Sequence, residues 1–199
     1  VEPEKVIKQF GADILRLWVV ASDYSEDLRI GDEIIKGQVD AYRRLRNTFR
    51  FMLGNLNDFN DAESIDISEM PELDRWVLHR LSELDEVVRK GCNDYEFHAL
   101  YVALHNFCTV ELSAFYFDIR KDVLYCDGSD SVRRRSARTV LNEVFNCMTA
   151  WLAPILSFSM EEVWQNRYPE EQGSVHLTLF PDVPGNWRDD ALAAKWKII

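Results

Sequence analysis

The chain has 199 residues, enough for one large domain to bury most of its unfolded surface without disulfides or metals. Hydrophobic residues make up 47% and aromatic residues 12%, which excludes a disordered chain, and no apolar run approaches the roughly 18 residues of a membrane span. The net charge of −11 argues against a nucleic-acid partner, yet screening over about 8 Å lets local clusters decide contact. Arginines cluster within 43–50 and 133–138, whereas acids concentrate in 58–74 and 161–171.

The first third of the chain has two helical patterns. Residues 3–21 carry apolar side chains at helical spacing behind an early proline, which predicts one helix. After a polar connection over 22–31, Asp32 is the predicted N-cap of a long helix that runs to about Asn57. The helical pattern starts almost directly at Val1, without a signal peptide, so we expect a piece of a longer protein.

The middle third predicts two further helices. An acidic loop over 57–71 precedes a helix from Pro71 to Lys90, for which Gly91 is the predicted stop. Residues 94–122 are the most apolar stretch and predict a single helix packed on several sides.

The last third is punctuated by turn residues. A turn at 127–130 leaves Ser131 to cap a helix that reaches about Leu152. Pro154 should break or kink that helix, and a shorter helix follows to Asn166. The segment 175–180 is compatible with one short β-segment. The fold class predicted from these elements is all-α, a helical bundle with short loops.

The residues most able to carry chemistry give no catalytic site. The four cysteines lack metal-ligand spacing, which favours free buried thiols in a reducing cytoplasm over a zinc site or a disulfide. His105 and Cys108 share a helix face inside an apolar stretch, which favours a core pair over a nucleophile and its base. No glycine-rich phosphate loop exists. We therefore predict no catalytic residue, no metal site and no cofactor in this chain.

The long helix that ends near Asn57 has two neighbouring stripes. Leu45, Phe49, Met52 and Leu56 form an apolar stripe, and Arg43, Arg46 and Arg50 form a cationic one, flanked by Asn47 and Asn57. Guanidinium groups on one rigid face can hold successive phosphates, and amides beside them can touch unpaired RNA bases. The alternative is that these arginines pair with acids of neighbouring helices, and composition alone favours it.

A second candidate surface lies at 115–125, where aromatic residues alternate with Arg120 and Lys121. This pattern suits base stacking beside a phosphate contact, and it suits ordinary capping of a helix C-terminus by cations equally well. The cluster of Arg133, Arg134, Arg135 and Arg138 predicts a solvated face at a helix N-terminus, with RNA contact as the lesser alternative.

Several segments resemble class I aminoacyl-tRNA synthetases. The stretch Gly11–Trp18 resembles the segment just after the second signature motif of that family. Ser22–Ile30, Tyr42–Thr48, His105–Ser113 and Lys121–Asp127 are similar to the isoleucyl group, while Leu152–Leu156 and Glu161–Trp164 are shared with the valyl and leucyl enzymes. The resemblance spans about residues 1–180.

The resemblance implies a division of the chain and a function for it. Residues 1–30 would contact the tRNA stem and connect to a missing catalytic domain, 31–168 would form the helical anticodon-binding bundle, and 169–199 would begin a further C-terminal region. The expected partner is the anticodon stem-loop of a tRNA, bound through Arg43, Arg46, Asn47, Arg50, Asn57, Arg120 and Lys121.

The resemblance also implies what the chain should lack. Neither His-x-Gly-His nor Lys-Met-Ser-Lys-Ser occurs, so the ATP and Mg²⁺ chemistry of the full-length enzyme would belong to absent parts. A monomeric cytoplasmic enzyme without membrane contact is expected. A valyl enzyme, or a helical protein-interaction module without an RNA role, remains the alternative.

Overall fold

The structure, a computed structural model, describes residues 2–25, 27–169 and 173–196. These residues form helices joined by turns and irregular loops, so the predicted all-α class is confirmed and no β-strand occurs among them. No helix in these ranges has both the length and the apolar character needed to cross a bilayer. The helices are α1 Pro3–Phe10, α2 Ala12–Ala21, α3 Asp32–Leu56, α4 Glu72–Asp94, α5 Phe97–Asn106, a π-helical segment Phe107–Tyr116, α6 Phe117–Cys126, α7 Val132–Leu152, α8 Ser157–Arg167 and α9 Asp190–Trp196.

The single helix predicted over 3–21 is wrong, because two helices meet at Gly11. Its backbone has φ 91°, a left-handed value that glycine adopts without steric cost and that ends α1 before α2 begins. The buried residues Val6 and Ile14 pack with Ile35 of α3, which anchors this N-terminal pair of helices to the bundle.

Helix α3 presents the predicted apolar stripe to the core. Leu45, Phe49, Met52 and Leu56 are each at most 1% exposed, which confirms that stripe. The predicted N-cap is displaced by one residue, since Gly31 occupies the capping position and Asp32 is the first helical residue. The polar side of α3 is therefore left for solvent and for neighbouring elements.

Helix α4 continues past its predicted stop. Gly91 lies inside the helix. A Cβ at this position would be 3.0 Å from the Cβ of Leu100, so the glycine allows α5 to approach closely. The helix ends instead at Asp94, and its C-cap residue Tyr95 adopts the left-handed conformation with φ 61°.

The apolar stretch predicted as one helix over 94–122 is longer and less regular. It runs from Phe97 to Cys126, with ten π-helical residues between α5 and α6. A hydrogen-bonded group of polar atoms lies at the widened turn. The Ser113 hydroxyl donates to the carbonyl of Cys108 at 2.7 Å, and the Thr48 hydroxyl of α3 lies 2.9 Å from Ser113 Oγ.

Helix α7 is the centre of the core and has the predicted ends. The Ser131 hydroxyl accepts from the backbone N–H of Arg134, and α7 stops at Leu152 before the turn at Pro154, so both predictions are confirmed. The proline lies in the turn between α7 and α8, where its missing N–H costs no helical hydrogen bond.

The β-segment considered for 175–180 is wrong. Val175–Leu177 forms a short 3-10 turn instead, because the Glu161 carboxylate of α8 accepts the Val175 N–H at 3.0 Å and the Ser174 hydroxyl at 2.7 Å. Residues 181–196, here called the C-terminal strap, then run along α4. Within the strap, the ring of Trp196 packs at a tilt against Trp76 with centroids 5.9 Å apart, and its indole N–H donates to Glu72.

Candidate nucleic-acid interface

The cationic stripe of α3 lies on the surface. Arg43, Arg46, Asn47 and Arg50 are all exposed, and seven residues of helix separate Arg43 from Arg50 by about 10 Å. Arg43 pairs with Asp40 of its own helix at 3.3 Å, and Arg46 has, among the residues that the structure describes, only Glu162 at 3.9 Å. Asn47 and Arg50 have no hydrogen-bond or ion-pair partner in the described ranges, so the packing of the bundle does not require either of them.

A groove of about 390 Å³ runs between α3 and α8 on one side of this stripe. Apolar residues form its floor, while polar and charged groups form its rim. The rim residues are Tyr42, Arg46, Asn47, Arg50, Ser159, Glu162 and Asn166. The groove therefore combines cations, amides and hydroxyls with a single acid.

A second depression, also of about 390 Å³, lies on the other side of Asn47 and Arg50. Its lining includes Phe51, Asn55 and Tyr125, and the ring of Tyr125 is 66% exposed. The Phe51 ring stacks on Phe117 of α6 with centroids 4.2 Å apart, which holds α6 beside α3. An exposed tyrosine thus stands next to Arg50, an arrangement that suits stacking of an unpaired base beside a phosphate contact.

Asn57 and Lys121 extend the stripe in two directions. Asn57 is exposed at the C-terminal end of α3, two helical turns beyond Arg50. Lys121 is exposed one turn before Tyr125 on α6 and pairs with Asp118 at 2.6 Å. Both residues have the accessibility that a contact with RNA needs.

Arg120 does not lie on this surface, which corrects its place in the predicted second patch. It is 8% exposed, and its Nε donates to the Asp74 carboxylate at 2.8 Å. The same carboxylate accepts the hydroxyls of Tyr116 at 2.7 Å and Ser136 at 2.6 Å. Arg120 neutralises a fully buried acid between α4, α6 and α7, so its guanidinium is unavailable to a phosphate.

The Arg133–Arg138 cluster is likewise not a solvated face. Arg138 is 2% exposed and pairs with Asp58 at 2.5 Å and Glu63 at 2.6 Å, while Arg135 donates to the carbonyl of Glu63 at 3.0 Å. Arg133 is exposed but pairs with Asp127 at 3.0 Å. Arg135 and Arg138 therefore fasten the acidic loop 57–71 to α7, whereas Arg133 is held by Asp127.

The thiols and histidines do not assemble a reactive site. Burial raises the pKa of the Cys108 and Cys147 thiols far above the usual range, which keeps them protonated. Burial, with Arg44 nearby, lowers the pKa of His105. Cys126 is exposed, contrary to the expected burial. Within the ranges that the structure describes, no three His, Cys, Asp or Glu residues are placed to hold a metal ion.

A family model described as the anticodon-binding domain of tRNA ligase matches residues 74–199, more than half of the chain. The chain belongs to this family. The match begins at Asp74, the buried acid of α4, and covers the π-helical segment, α6, α7 and α8. It therefore includes one wall of the groove, whereas the arginine stripe of α3 precedes it.

This anticodon-binding domain has many similar relatives. It is 63% identical over 188 residues to the isoleucine–tRNA ligase of Ruegeria pomeroyi, with 94% of this chain and 19% of that protein covered. It is 54% identical to the isoleucine–tRNA ligase of Agrobacterium fabrum, with 100% of this chain and 20% of that protein covered. It is 50% identical to that of Pelagibacter ubique, with 98% of this chain and 22% of that protein covered. The chain thus spans about a fifth of these curated relatives, and their names favour the isoleucyl over the valyl alternative.

A solved structure shows the same fold at low identity. The domain matches the ternary complex of Agrobacterium radiobacter K84 agnB2 LeuRS with tRNA and LeuAMS, with a TM-score of 0.69 and 18% identity. The match covers 95% of this chain and 22% of that one. The expected bundle architecture is confirmed.

Sequence reasoning missed the far wall of the groove and did not single out Tyr125. Glu162 and Asn166 are four residues apart on α8, a spacing that predicts a shared face, but nothing in the sequence states that this face lies opposite Arg46. Tyr125 belongs to the aromatic stretch already noted, and its separation of four residues from Lys121 was the available signal.

Proposed function

We propose that this domain binds the anticodon stem-loop of an isoleucine tRNA through the exposed face of α3. The observation that carries the proposal is the position of Asn47 and Arg50. They are exposed, have no intramolecular partner in the described ranges, and separate a polar groove from a depression that contains an exposed tyrosine. Family membership and the names of the relatives support the same function.

Each part of the surface has a distinct task in this proposal. Arg43, Arg46 and Arg50 bind phosphates, because guanidinium forks match phosphate oxygens and remain charged. Tyr125 supplies a stacking surface for an unpaired base, and Asn47 supplies amide hydrogen bonds to a base edge. Asn57 and Lys121 lie where the bound strand would continue. The high negative charge elsewhere restricts RNA to this face.

In the whole protein, this domain would serve an enzyme that joins isoleucine to its tRNA with ATP and Mg²⁺ in the cytoplasm. The residues of the domain do not fit that chemistry, since the sequence has no glycine-rich phosphate loop and the described side chains form no cluster of metal ligands. The domain therefore contributes binding only. A catalytic domain joined through residues 1–30 and a monomeric state complete the proposal.

The proposal is tested by measuring stem-loop affinity against salt concentration. Fluorescence anisotropy with a labelled isoleucine anticodon stem-loop should give log Kd a salt slope that falls by about one unit for each lost phosphate contact. Arg46→Gln is the test variant and Arg133→Gln the matched control, since the two side chains are 63% and 62% exposed.

We expect Arg46→Gln and Arg50→Gln to reduce the slope and Arg133→Gln to leave it unchanged. A valine stem-loop should bind more weakly than the isoleucine one. Equal slopes for all three variants would contradict the proposed face. Binding that is absent, or insensitive to salt, would favour the protein-interaction alternative.

A further inference from the structure

Two residues of α2 hold the turn that joins α7 to α8. Asp13 and Arg16 are three residues apart and so share one face of α2. Asp13 is 7% exposed, and its carboxylate accepts the backbone N–H groups of Phe158 at 3.3 Å and Ser159 at 2.8 Å. Arg16 donates to the carbonyl of Ile155 at 2.9 Å and to that of Pro154. The two side chains therefore bind backbone groups within the proline turn and at the start of α8.

The charges match the ends that they hold. The first N–H groups of a helix lack intrahelical partners and carry partial positive charge, which a carboxylate neutralises. Carbonyls in a turn after a helix accept from a guanidinium in the same way. Asp13 thus caps α8 from another helix, so the position of α8 depends on that of α2.

A chain of hydroxyl groups extends this link to α3. The Ser159 hydroxyl donates its only proton to Asp13 at 2.5 Å, so it must accept from the Tyr42 hydroxyl, 2.9 Å away. Tyr42 lies one turn before Arg46 on α3, and both Tyr42 and Ser159 line the groove. A continuous hydrogen-bond path therefore joins α2, α8 and α3 at one end of the groove.

We infer that Asp13 is a positioning residue for RNA binding. Through Ser159 and Tyr42 it fixes the distance between α8 and the arginine stripe of α3, and so sets the shape of the groove without contacting RNA. The inference rests on the proposed function. It also makes α2 a point from which the segment 1–30 can alter RNA affinity, because movement of α2 moves α8.

The sign of the effect separates positioning from simple electrostatics. Asp13 carries negative charge near a surface proposed to bind phosphates, so loss of that charge alone would strengthen RNA binding. Positioning requires the opposite result. Asp13→Asn should weaken stem-loop binding by roughly 2- to 30-fold, the range typical of coupling through packed networks.

The experiment compares stem-loop Kd values for the whole chain and its variants under conditions in which urea unfolding shows every variant to be folded. Asp13→Asn and Ser159→Ala should weaken binding of the stem-loop. Ser159→Thr should bind like the unmodified chain, because threonine keeps the hydroxyl. Glu162→Gln removes an exposed acid of the groove and should strengthen binding. Ser136→Ala, which breaks a buried hydrogen bond away from the groove, controls for lost stability alone.

The inference is overturned if Asp13→Asn binds the stem-loop as tightly as the unmodified chain does, or more tightly, as is expected of Glu162→Gln. That result would leave the proposed function intact. The same holds if Ser136→Ala weakens binding as much as Ser159→Ala. If the unmodified chain shows no salt-dependent binding, the proposed function fails and the inference fails with it.

Discussion

Two arginine clusters of similar density lie in opposite environments in this protein. Those of α3 are exposed and have few partners, whereas those at the start of α7 are bound by carboxylates and carbonyls of loop 57–71 and of residues 124–127. Arg46 has one acid at 3.9 Å, and the buried Arg138 has two within 2.6 Å. The density of cations along the chain therefore does not indicate an RNA surface.

Spacing is the better guide. Arg43, Arg46 and Arg50 follow a helical period and share one side of α3, which leaves the opposite side for the apolar stripe. Arg133, Arg134 and Arg135 are consecutive, and each step turns the side chain by about 100° around the helix. With Arg138 they span more than half of the circumference of α7, so some of them must enter the protein and find partners there. Four predictions test this contrast between open and enclosed cations.

The largest effect is expected at Arg120. Its replacement by Met leaves the carboxylate of Asp74 buried without a counter-ion, which should lower the free energy of unfolding by about 3–5 kcal/mol. Urea unfolding measures this loss. The neighbouring Lys121→Met is the control, because an exposed ion pair is worth at most about 1 kcal/mol. Similar losses for the two variants would contradict the buried position of Arg120.

Arg138→Met should come next. The change removes two charged hydrogen bonds and one to the carbonyl of Asn55, and we expect a loss of about 2–3 kcal/mol because the acids Asp58 and Glu63 retain access to water. The measurement is the urea midpoint, with stem-loop Kd determined in parallel. A weakened Kd in the folded variant would show that the α7 cluster takes part in RNA binding after all.

A smaller effect should appear on acidification. Arg138 lowers the pKa of Asp58 below its usual 3.8, so the ion pair stabilises the folded state above that value and is lost as the pH falls through the lowered pKa. The urea midpoint of the unmodified chain should therefore fall more steeply below pH 3.8 than that of Asp58→Asn. If the urea midpoints of the two chains fall equally steeply below pH 3.8, the ion pair of Asp58 does not stabilise this loop.

The smallest effect on stability is expected on α3. Arg46→Ala and Arg50→Ala should change the free energy of unfolding by no more than about 0.5 kcal/mol, as exposed positions usually do. Leu45→Ala on the buried stripe of the same helix should cost about 2–5 kcal/mol. Thermal unfolding of the three variants decides the matter, and early melting of the arginine variants would make this face structural.

Local patterns predicted the parts of the fold that depend on a few neighbouring residues. The cap at Ser131, the break at Pro154 and the stripe from Leu45 to Leu56 each follow from chemistry within about three helical turns or fewer. The buried partner of Arg120 is Asp74, which lies 46 residues away, so local patterns could not predict this ion pair.

The errors share that physical origin. The π-helical segment follows a periodicity close to that of an α-helix, and its stabilising contact with Thr48 comes from a different helix. The segment 175–180 has strand-like composition, but the Glu161 carboxylate of α8 accepts the Val175 N–H, and residues 175–177 form a turn. The groove combines α3 with α8, so its residues could be found singly from the sequence but not brought together.

The C-terminal strap has a consequence for synthesis on the ribosome. Trp196 meets Glu72 across 124 residues of chain, which takes roughly 6–25 s to translate at about 5–20 residues per second. From the moment each is synthesised until Trp196 arrives, Trp76 and Phe115, the ring partners of Trp196, lack their final cover. In a nascent chain stalled before residue 181, chaperones could therefore bind these two rings. Once the strap has been synthesised and has packed against α4, it would cover them.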